Sequence, residues 1–424
     1  RIRETEALRN IQKQSLEHAQ FTVLTGRRRI GKTSLVFHAY QDTPFLYFFV
    51  SKKAESELCE TYQREIADKL GVPMLGRVTR FADIFEYLMQ LAKQQPITLF
   101  VDEFQEFLKV NPSVYSDMQK SWDIHKNDAH INLIVGGSVQ SMIHKIFEDK
   151  KEPLYNRQTS KIQLNRFSPS ILKEILAAHH PDFSADDLLA LYSFTGGVAK
   201  YVELLMDKGA FTRQQMIETI LIEGLIYVIM VLGLFISYRT LDFCDMTVDG
   251  AFPMGGCILA ACLSAGLPPS LGILLAFIGG CLAGLCARML YTKLRIPDLL
   301  AGILMMTMLY SVNLRIMSNR ANISFLRITT TFSRITEFFE AKFPNLPSET
   351  GILIFLLIFI VIFKLLLDLF FHTDLGLTMG ALGVNQQMII SQGVNPQIVR
   401  GIGVCFGDGL AALSGAFAAM YNGF

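Results

Sequence analysis

Charged residues are scarce in the second half of this sequence. Residues 216–424 contain 11 Lys and Arg and 12 Asp and Glu, whereas residues 1–215 contain 28 and 26. Long apolar runs separate the few charges, so the second half cannot form the polar surface of a water-soluble domain and needs lipid. The first half carries enough charge to fold in water. We therefore expect two domains, residues 1–215 and residues 216–424.

Cysteine motifs and basic stretches are also missing. Six of the seven cysteines lie in or beside apolar segments, none belongs to a C-x-x-C pair, and no histidine cluster accompanies them. These absences argue against a disulfide framework and a zinc site. The net charge of +1 is shared by two nearly neutral halves, so no large basic surface indicates nucleic-acid binding.

The two ends of the chain carry no targeting or closing segment. No signal peptide precedes the first half, so we expect residues 1–215 to stay in the cytoplasm. The sequence begins at Arg1 and ends at Phe424, just after an apolar segment. We therefore expect both domains to be pieces of longer proteins.

A phosphate-binding loop is present near the start of the chain. A short β-rich run, residues 21–25, is followed by GRRRIGKT and then by an apolar helical stretch. This is G-x-x-x-x-G-K-[ST] in its strand–loop–helix setting, where backbone N–H groups and a helix N-terminus face the phosphates. Lys32 is predicted to reach the β- and γ-phosphates and Thr33 to hold Mg²⁺. The predicted ATP-binding residues of the loop are Gly26, Arg27, Arg28, Arg29, Ile30, Gly31, Lys32, Thr33 and Ser34.

Two carboxylates follow a second apolar run. Residues 97–101 have the composition of a buried strand, and Asp102 and Glu103 come directly after it. We predict that Asp102 binds Mg²⁺ and that Glu103 polarises the attacking water. The runs 45–50 and 131–135 complete a set of strands that alternate with helices, which predicts a doubly wound parallel α/β sheet. Ser138, at the polar tip after the last run, is a candidate sensor of the γ-phosphate.

Together these motifs resemble the prokaryotic AAA-type P-loop ATPases often called archaeal ATPases. The resemblance rests on R-E-x-E at residues 3–6, GRRRIGKTS at 26–34, FVDEF at 100–104 and GGS at 136–138, and it covers residues 1–215. It implies ATP hydrolysis with Mg²⁺, a helical lid that begins near residue 194, and an approach of Arg157 to the nucleotide. A surface position for Arg157 is the alternative.

The second half contains six apolar segments that predict an all-α polytopic membrane domain. They cover about residues 219–237, 250–267, 269–291, 297–313, 350–370 and 397–421. A helix needs roughly 20 apolar residues to cross a hydrocarbon core about 30 Å thick. Pro253 with Gly255 and Gly256 indicates a broken or re-entrant second segment, and close helix packing is the alternative.

Residues 216–424 resemble an ABC importer permease of the branched-chain amino-acid and sugar type. The matching stretches are MIETILIEG at 216–224, LDF at 241–243, TVDGAFP at 247–253 and GLTMGALG with Asn385 at 376–385, the last similar to a cytosolic coupling loop. The resemblance implies uptake of an amino acid or similar solute across the inner cell membrane. It also implies three partners: a separate ABC ATPase subunit, a second permease copy and an external solute-binding protein.

The first half does not have the features of an ATPase that would drive the permease-like second half. Residues 1–215 lack the LSGGQ-type signature of ABC ATPases, Met216 stands where the permease resemblance begins, and no Gly/Ser/Pro-rich linker precedes the first apolar segment. Our hypothesis is that two genes have been joined near residue 216. The alternative is a natural fusion that acts as a membrane-anchored nucleotide switch or as an ATP-driven transporter component.

Overall fold

The chain folds into two compact units, Arg1–Phe211 and Thr212–Phe424. A computed structural model describes the chain except for residues 73–75, 242–244, 295, 321–322, 324, 326–327, 344–348 and 424, and it leaves the side chains of residues 140, 293 and 298 undescribed. Asp242 and Phe243 of the permease-like motif therefore lie outside the described residues. Each unit is taken by itself below.

The first unit is built on a five-stranded parallel sheet with strand order β2-β3-β4-β1-β5. Its strands are β1 (Gln20–Thr25), β2 (Leu46–Phe49), β3 (Ile97–Asp102), β4 (Ile131–Gly137) and β5 (Ser160–Gln163). Its α-helices are α1 (Ile2–Gln14), α2 (Lys32–Ala39), α3 (Glu55–Leu70), α4 (Phe81–Leu91), α5 (Phe107–Val110), α6 (Val114–His125), α7 (Gln140–Glu148), α8 (Pro169–His179), α9 (Ala185–Thr195) and α10 (Ala199–Asp207).

Helices cover both faces of this sheet. On one face, side chains of α3, α4, α6 and α7 pack on alternate strand residues such as Phe21, Leu99 and Leu133. On the other face, α1 and α2 pack on the intervening residues, among them Leu24 and Phe100. Because helices cover both faces, β1, β3 and β4 are buried along their whole length, as expected for a parallel sheet. The predicted doubly wound α/β fold is confirmed.

The sequence predicted four of the five strands to within about two residues. The fifth strand, β5, was not predicted. Its residues, SKIQ, are mostly polar and alternate between partly buried and exposed positions at the edge of the sheet. It pairs with β1 from Ser160 opposite Thr22 to Gln163 opposite Thr25. The carboxyl ends of β1, β3 and β4 meet at one edge, where Thr25 lies opposite Gly137 and Val101 opposite Val135.

The second unit is entirely helical in its described part. Its helices are α11 (Arg213–Leu234, continued by a π-helical stretch Phe235–Thr240), α12 (Val248–Ser264), α13 (Pro269–Leu294), α14 (Asp298–Ile316), α15 (Thr331–Lys342), α16 (Thr350–Phe371), α17 (Asp374–Val384), α18 (Gln386–Ser391) and α19 (Pro396–Asn422). Five of them, α11, α13, α14, α16 and α19, are long and apolar enough to cross a membrane; α12 is a shorter apolar helix. The predicted polytopic helical domain is thus confirmed.

Helix α19 lies at the centre of this bundle, against α11, α12 and α13. In its most apolar stretch 72% of the residues are buried, against 17% in α16. Glycines allow α12 and α19 to approach each other closely. A Cβ on Gly255 of α12 would lie 1.7 Å from the Ala412 oxygen, and one on Gly415 of α19 would lie 1.8 Å from the Phe252 oxygen. The predicted break at Pro253 is wrong, because α12 runs unbroken through it. The alternative, helix packing, explains Gly255.

Helix α11 has a defined start. Thr212 is its N-cap: the Thr212 hydroxyl accepts a hydrogen bond from the backbone N–H of Gln215 at 3.4 Å. In return, the Gln215 side chain accepts one from the backbone N–H of Thr212 at 3.1 Å. This reciprocal pair is a capping box, which satisfies two backbone donors that the helix leaves unpaired. The helix therefore begins at Arg213 and runs through Met216 without interruption.

Candidate nucleotide-binding site

The predicted phosphate loop joins β1 to α2 at the carboxyl edge of the sheet. Arg29 and Gly31 both take the left-handed backbone conformation, with φ of 64° and 89°, which turns the chain into the helix. A Cβ on Gly26 would lie 3.0 Å from the Leu164 oxygen and 3.1 Å from Ile30 Cγ2. The loop thus needs a glycine where it leaves the strand, because the backbone of the 160s segment approaches it closely.

Lys32 lies inside the loop. Its Nζ donates hydrogen bonds to the carbonyl oxygens of Gly26 at 2.9 Å and Arg27 at 3.2 Å, and the residue is 6% exposed. Burial lowers the pKa of Lys32, and the nearby carboxylates of Glu103 and Asp102 offset part of that effect. An ammonium group held by backbone carbonyls at the mouth of this loop can exchange them for phosphate oxygens.

Thr33 and Asp102 are brought together, as the sequence predicted from separate motifs. The Thr33 hydroxyl donates to Asp102 Oδ2 at 2.7 Å, and Asp102 Oδ1 accepts from the backbone N–H of Glu103 at 2.9 Å. Tyr47 of β2 also donates to Asp102 Oδ2, at a longer 3.4 Å. Burial, helped by Asp102, raises the pKa of Tyr47 to about 12, so this hydroxyl stays a donor. No local sequence pattern points to Tyr47.

Glu103 has an unusual backbone. Its φ of 53° and ψ of 40° place a non-glycine residue in the left-handed region, a conformation that costs on the order of 1 kcal/mol and is found at functional sites. The Ser138 hydroxyl at the end of β4 donates to Glu103 Oε2 at 2.8 Å, and the Gln105 side chain donates to the same oxygen. Ser138 and Glu103 therefore form one hydrogen-bonded group beside the loop.

A cavity of about 1120 Å³ opens in front of the loop. The loop, α1, α2, α8 and α10 all contribute to its lining, together with Asp102 and Glu103. Arg1 donates to the Ile30 carbonyl oxygen at 2.9 Å, and the backbone N–H of Lys200 donates to the Arg29 carbonyl oxygen at 3.2 Å. These contacts from α1 and α10 were not predicted, because they depend on how distant helices pack around the loop.

The structure does not bring Arg157 to this site. Arg157 precedes β5 and so lies at the amino edge of the parallel sheet, opposite the loop. Its guanidinium donates to Asp123 Oδ2 from Nε at 3.1 Å and from Nη2 at 2.9 Å, and Nη1 donates to the Pro153 carbonyl oxygen. Arg157 therefore holds the 150s segment to α6, in line with the alternative of a surface arginine.

The residues present fit a nucleotide with a divalent cation. Mg²⁺ in nucleotide sites is held by one or two protein oxygens, with phosphates and water as the other ligands. The Thr33 hydroxyl and the buried Asp102 carboxylate supply such oxygens next to the phosphate loop. The strand–loop–helix arrangement supplies the backbone donors that a phosphate needs.

The permease-like segment 376–385 is helical. It forms most of α17, and Asn385 is the N-cap of α18, with Asn385 Oδ1 accepting from the backbone N–H groups of Gln387 and Met388. A Cβ on Gly376 would lie 2.4 Å from the Phe370 oxygen, and one on Gly383 would lie 2.3 Å from the Thr240 oxygen. Gly376 and Gly383 therefore allow α17 to pack closely on neighbouring backbone.

Comparison with known families assigns the two units separately. Residues 1–205 match the family described as ATPase domain predominantly from Archaea. Residues 216–424 match the family described as branched-chain amino acid transport system / permease component.

Two individual proteins each match about half of this chain. The chain is 40% identical over 208 residues to the tyrosine transport system permease protein of Clostridioides difficile, a match that covers 49% of this chain and 65% of that protein. It is 36% identical over 206 residues to an uncharacterized protein of Rickettsia prowazekii, covering 49% of this chain and 68% of that protein.

Among solved structures, a Walker-type ATPase of Pyrococcus abyssi is similar at 18% identity, with a TM-score of 0.42 and coverage of 59% of this chain and 79% of that one. The chain thus consists of an ATPase-like domain of the family found predominantly in Archaea, followed by a permease-like domain of the branched-chain amino-acid transport family.

Proposed function

We propose that the first unit binds ATP with Mg²⁺ in the cytoplasm and hydrolyses it. The observation that carries this proposal is the 2.7 Å hydrogen bond between the Thr33 hydroxyl and Asp102, beside a lysine already seated in the phosphate loop. In this proposal Lys32 binds the β- and γ-phosphates, and residues 26–34 donate backbone N–H groups to them. Thr33 and Asp102 hold Mg²⁺, which neutralises charge on the phosphates when bound.

Glu103 and Ser138 have distinct roles in this proposal. Glu103 accepts a proton from the attacking water, since it is the carboxylate next to the metal-binding residue and lines the cavity. Ser138 holds Glu103 Oε2 at 2.8 Å and can move to the γ-phosphate when a nucleotide enters. Arg157 has no part in this chemistry, because its guanidinium is bound to Asp123 at the other edge of the sheet.

The test is phosphate release from ATP by the full chain in detergent with Mg²⁺. Lys32→Ala should lower turnover by about 100-fold or more, because it removes the cation that neutralises the transferred phosphoryl group. Lys120→Ala, a matched change at an exposed position of α6, is the control and should leave turnover unchanged. Equal turnover of wild type and Lys32→Ala would reject the proposed site.

We further propose that the second unit is part of an inner-membrane permease for a small solute such as an amino acid. Its family, its five long apolar helices and the tyrosine permease relative support this. It would act with a separate ABC ATPase subunit, a second permease copy and an external solute-binding protein. Uptake of labelled tyrosine into proteoliposomes, with those partners supplied, tests the role; uptake that is the same without this chain would reject it.

We propose that the two activities are independent and that two genes have been joined near residue 216. The two family matches end and begin on either side of residues 206–215, and each belongs to a different kind of protein. Sequencing single genomic DNA molecules across codon 216 tests this. One uninterrupted reading frame would favour the other candidate, a natural fusion acting as a membrane-anchored nucleotide switch or an ATP-driven transporter component.

A further inference from the structure

The centre of α19 contains a fully buried carboxyl group. Asp408 is 0% exposed and lies 12 residues after Pro396, which is about 18 Å along a helix long enough to span a membrane. Neither of its carboxylate oxygens has a hydrogen-bond partner. A charged side chain at this depth costs several kcal/mol unless it is compensated, so a buried ionisable group in a membrane helix marks a functional site.

Helix α13 encloses Asp408 on one side. A Cβ on Gly284 would lie 2.9 Å from Asp408 Oδ2 and 2.8 Å from Cys405 Cα, so the carboxyl group occupies space that the glycine leaves free. The Cys281 thiol of α13 and the Cys405 thiol of α19 lie near it, and Arg288 of α13 is the cation on this side. Neither thiol is a strong hydrogen-bond partner.

A second carboxylate lies beside α19 at the same level. Leu241 packs at Gly403 and Val248 packs with Ala411, so residues 245–247, just before Val248, lie beside the turn of α19 that carries Asp408. Asp245 belongs to that segment and is 6% exposed. Its Oδ1 accepts from the backbone N–H of Thr247 at 2.9 Å, and its Oδ2 has no partner. Asp245 and Asp408 are thus two buried carboxyl groups on neighbouring segments.

The nearby cation does not compensate this pair. The Arg288 side chain packs against α19 at Gly401, two helical turns before Asp408. Its Cδ lies 2.1 Å from where a Cβ on Gly401 would be. Within the described part of the chain, no salt bridge joins Arg288 to either aspartate. Two ionised carboxylates in this apolar enclosure would repel each other without water to screen them, so at most one can carry charge.

We propose that Asp408 and Asp245 form a binding site for a single proton inside the membrane unit. The enclosure is too close-packed for a solute, and a proton is the cation that needs no added space. With the proton bound, Asp408 is a neutral acid and α13 packs on α19 through Gly284. Loss of the proton leaves a buried anion and weakens that contact. This site does not depend on the proposed transport of a solute.

The first experiment is covalent labelling of the full chain with N,N′-dicyclohexylcarbodiimide. The reagent adds to a protonated carboxyl group: the acid proton goes to one nitrogen, the carboxyl oxygen bonds to the central carbon, and the acyl group then migrates to nitrogen. No group leaves, so the peptide gains the whole mass of the reagent. At about pH 7 exposed carboxyl groups are ionised, and we expect about 10-fold more adduct on Asp408 than on the exposed Asp374.

Two variants make this labelling specific. Asp408→Asn should lose the adduct. Asp245→Asn should keep it, but the pH at which labelling disappears should fall by about one unit or more, because the neighbouring negative charge is gone. Adduct on Asp374 equal to that on Asp408 would overturn the proposal. Suppression of labelling by Na⁺ at constant pH would also overturn it, in favour of a metal cation.

Infrared spectroscopy decides the outcome if the reagent cannot enter. The wild-type chain at about pH 7 should show the carbonyl stretching band of a protonated carboxylic acid, which exposed aspartates do not give because they are ionised. This band should be lost in Asp408→Asn. A wild type without the band has an ionised Asp408 and contradicts the proton site, whatever the labelling shows.

Discussion

Each unit of this chain buries a carboxylate, and the two carboxylates differ in their partners. Asp102 at the end of β3 is 5% exposed and accepts hydrogen bonds from Thr33, Tyr47 and the backbone N–H of Glu103. Asp408 in α19 is 0% exposed and accepts none. The α/β unit therefore surrounds its carboxylate with hydrogen-bond donors. The helical unit leaves its carboxyl group in surroundings that favour the neutral form.

The largest effect is expected at Glu103, beside the partnered carboxylate. Glu103→Gln should lower ATP turnover by about 100-fold or more, because the amide cannot take a proton from water. Nucleotide binding, measured by calorimetry, should remain. Glu106→Gln is the matched control, since Glu106 pairs with Lys109 at 3.1 Å. Similar losses in both variants would remove Glu103 from the proposed chemistry.

The next effect concerns the packing of α12 on α19, the helix that carries the unpartnered carboxyl group. Gly255→Ala should destabilise the helical unit by about 1–3 kcal/mol, because the new Cβ meets the Ala412 oxygen. Gly224→Ala, in α11, meets nothing within 4 Å and should stabilise slightly. Heating with a thiol-reactive fluorophore reports exposure of the buried Cys262. Equal unfolding temperatures for the two variants would mean that α12 and α19 do not touch through these glycines.

A smaller effect separates stability from catalysis within the first unit. Arg157→Gln removes the ion pair with Asp123 and should lower the stability of this unit by at most about 1 kcal/mol, since both side chains are partly exposed. ATP turnover should stay unchanged. Fluorescence of Trp122, the single tryptophan of the chain, follows unfolding of this unit. A large loss of turnover without a change in unfolding would mean that Arg157 acts in ATP hydrolysis.

The smallest effect is a pH dependence at Glu86. Burial raises the pKa of this carboxyl group, but hydrogen bonds from Ser121, His125 and Gln90 outweigh burial, and the net pKa is lowered. A lowered pKa contributes stability above the unfolded value near 4.5, and that stability is lost as the pH falls through the folded pKa. In Glu86→Gln, the stability measured from Trp122 fluorescence should therefore fall less steeply as the pH is lowered. A profile identical to wild type would contradict this.

The parts that the sequence predicted are those fixed by local pattern. Asp102 at the end of β3, Ser138 just after β4 and the glycine loop after β1 meet at one sheet edge, because parallel strands bring their carboxyl ends together. Contacts of Arg1 and Tyr47 with the site arise only from tertiary packing and left no local signal. The predicted break at Pro253 was wrong for a related reason. A proline destabilises a helix, but α12 also packs on α19, and that packing cannot be read from the sequence of one segment.

The cap of α11 bears on where the two units can be separated. Residues 206–215 belong to neither family match, yet Thr212 and Gln215 supply the donors and acceptors that begin the first long apolar helix. A polypeptide that starts at Met216 would lack the Thr212–Gln215 capping box, and its first helix would be less stable by about 1 kcal/mol. Anyone expressing the permease-like unit alone should therefore retain four residues upstream of that methionine.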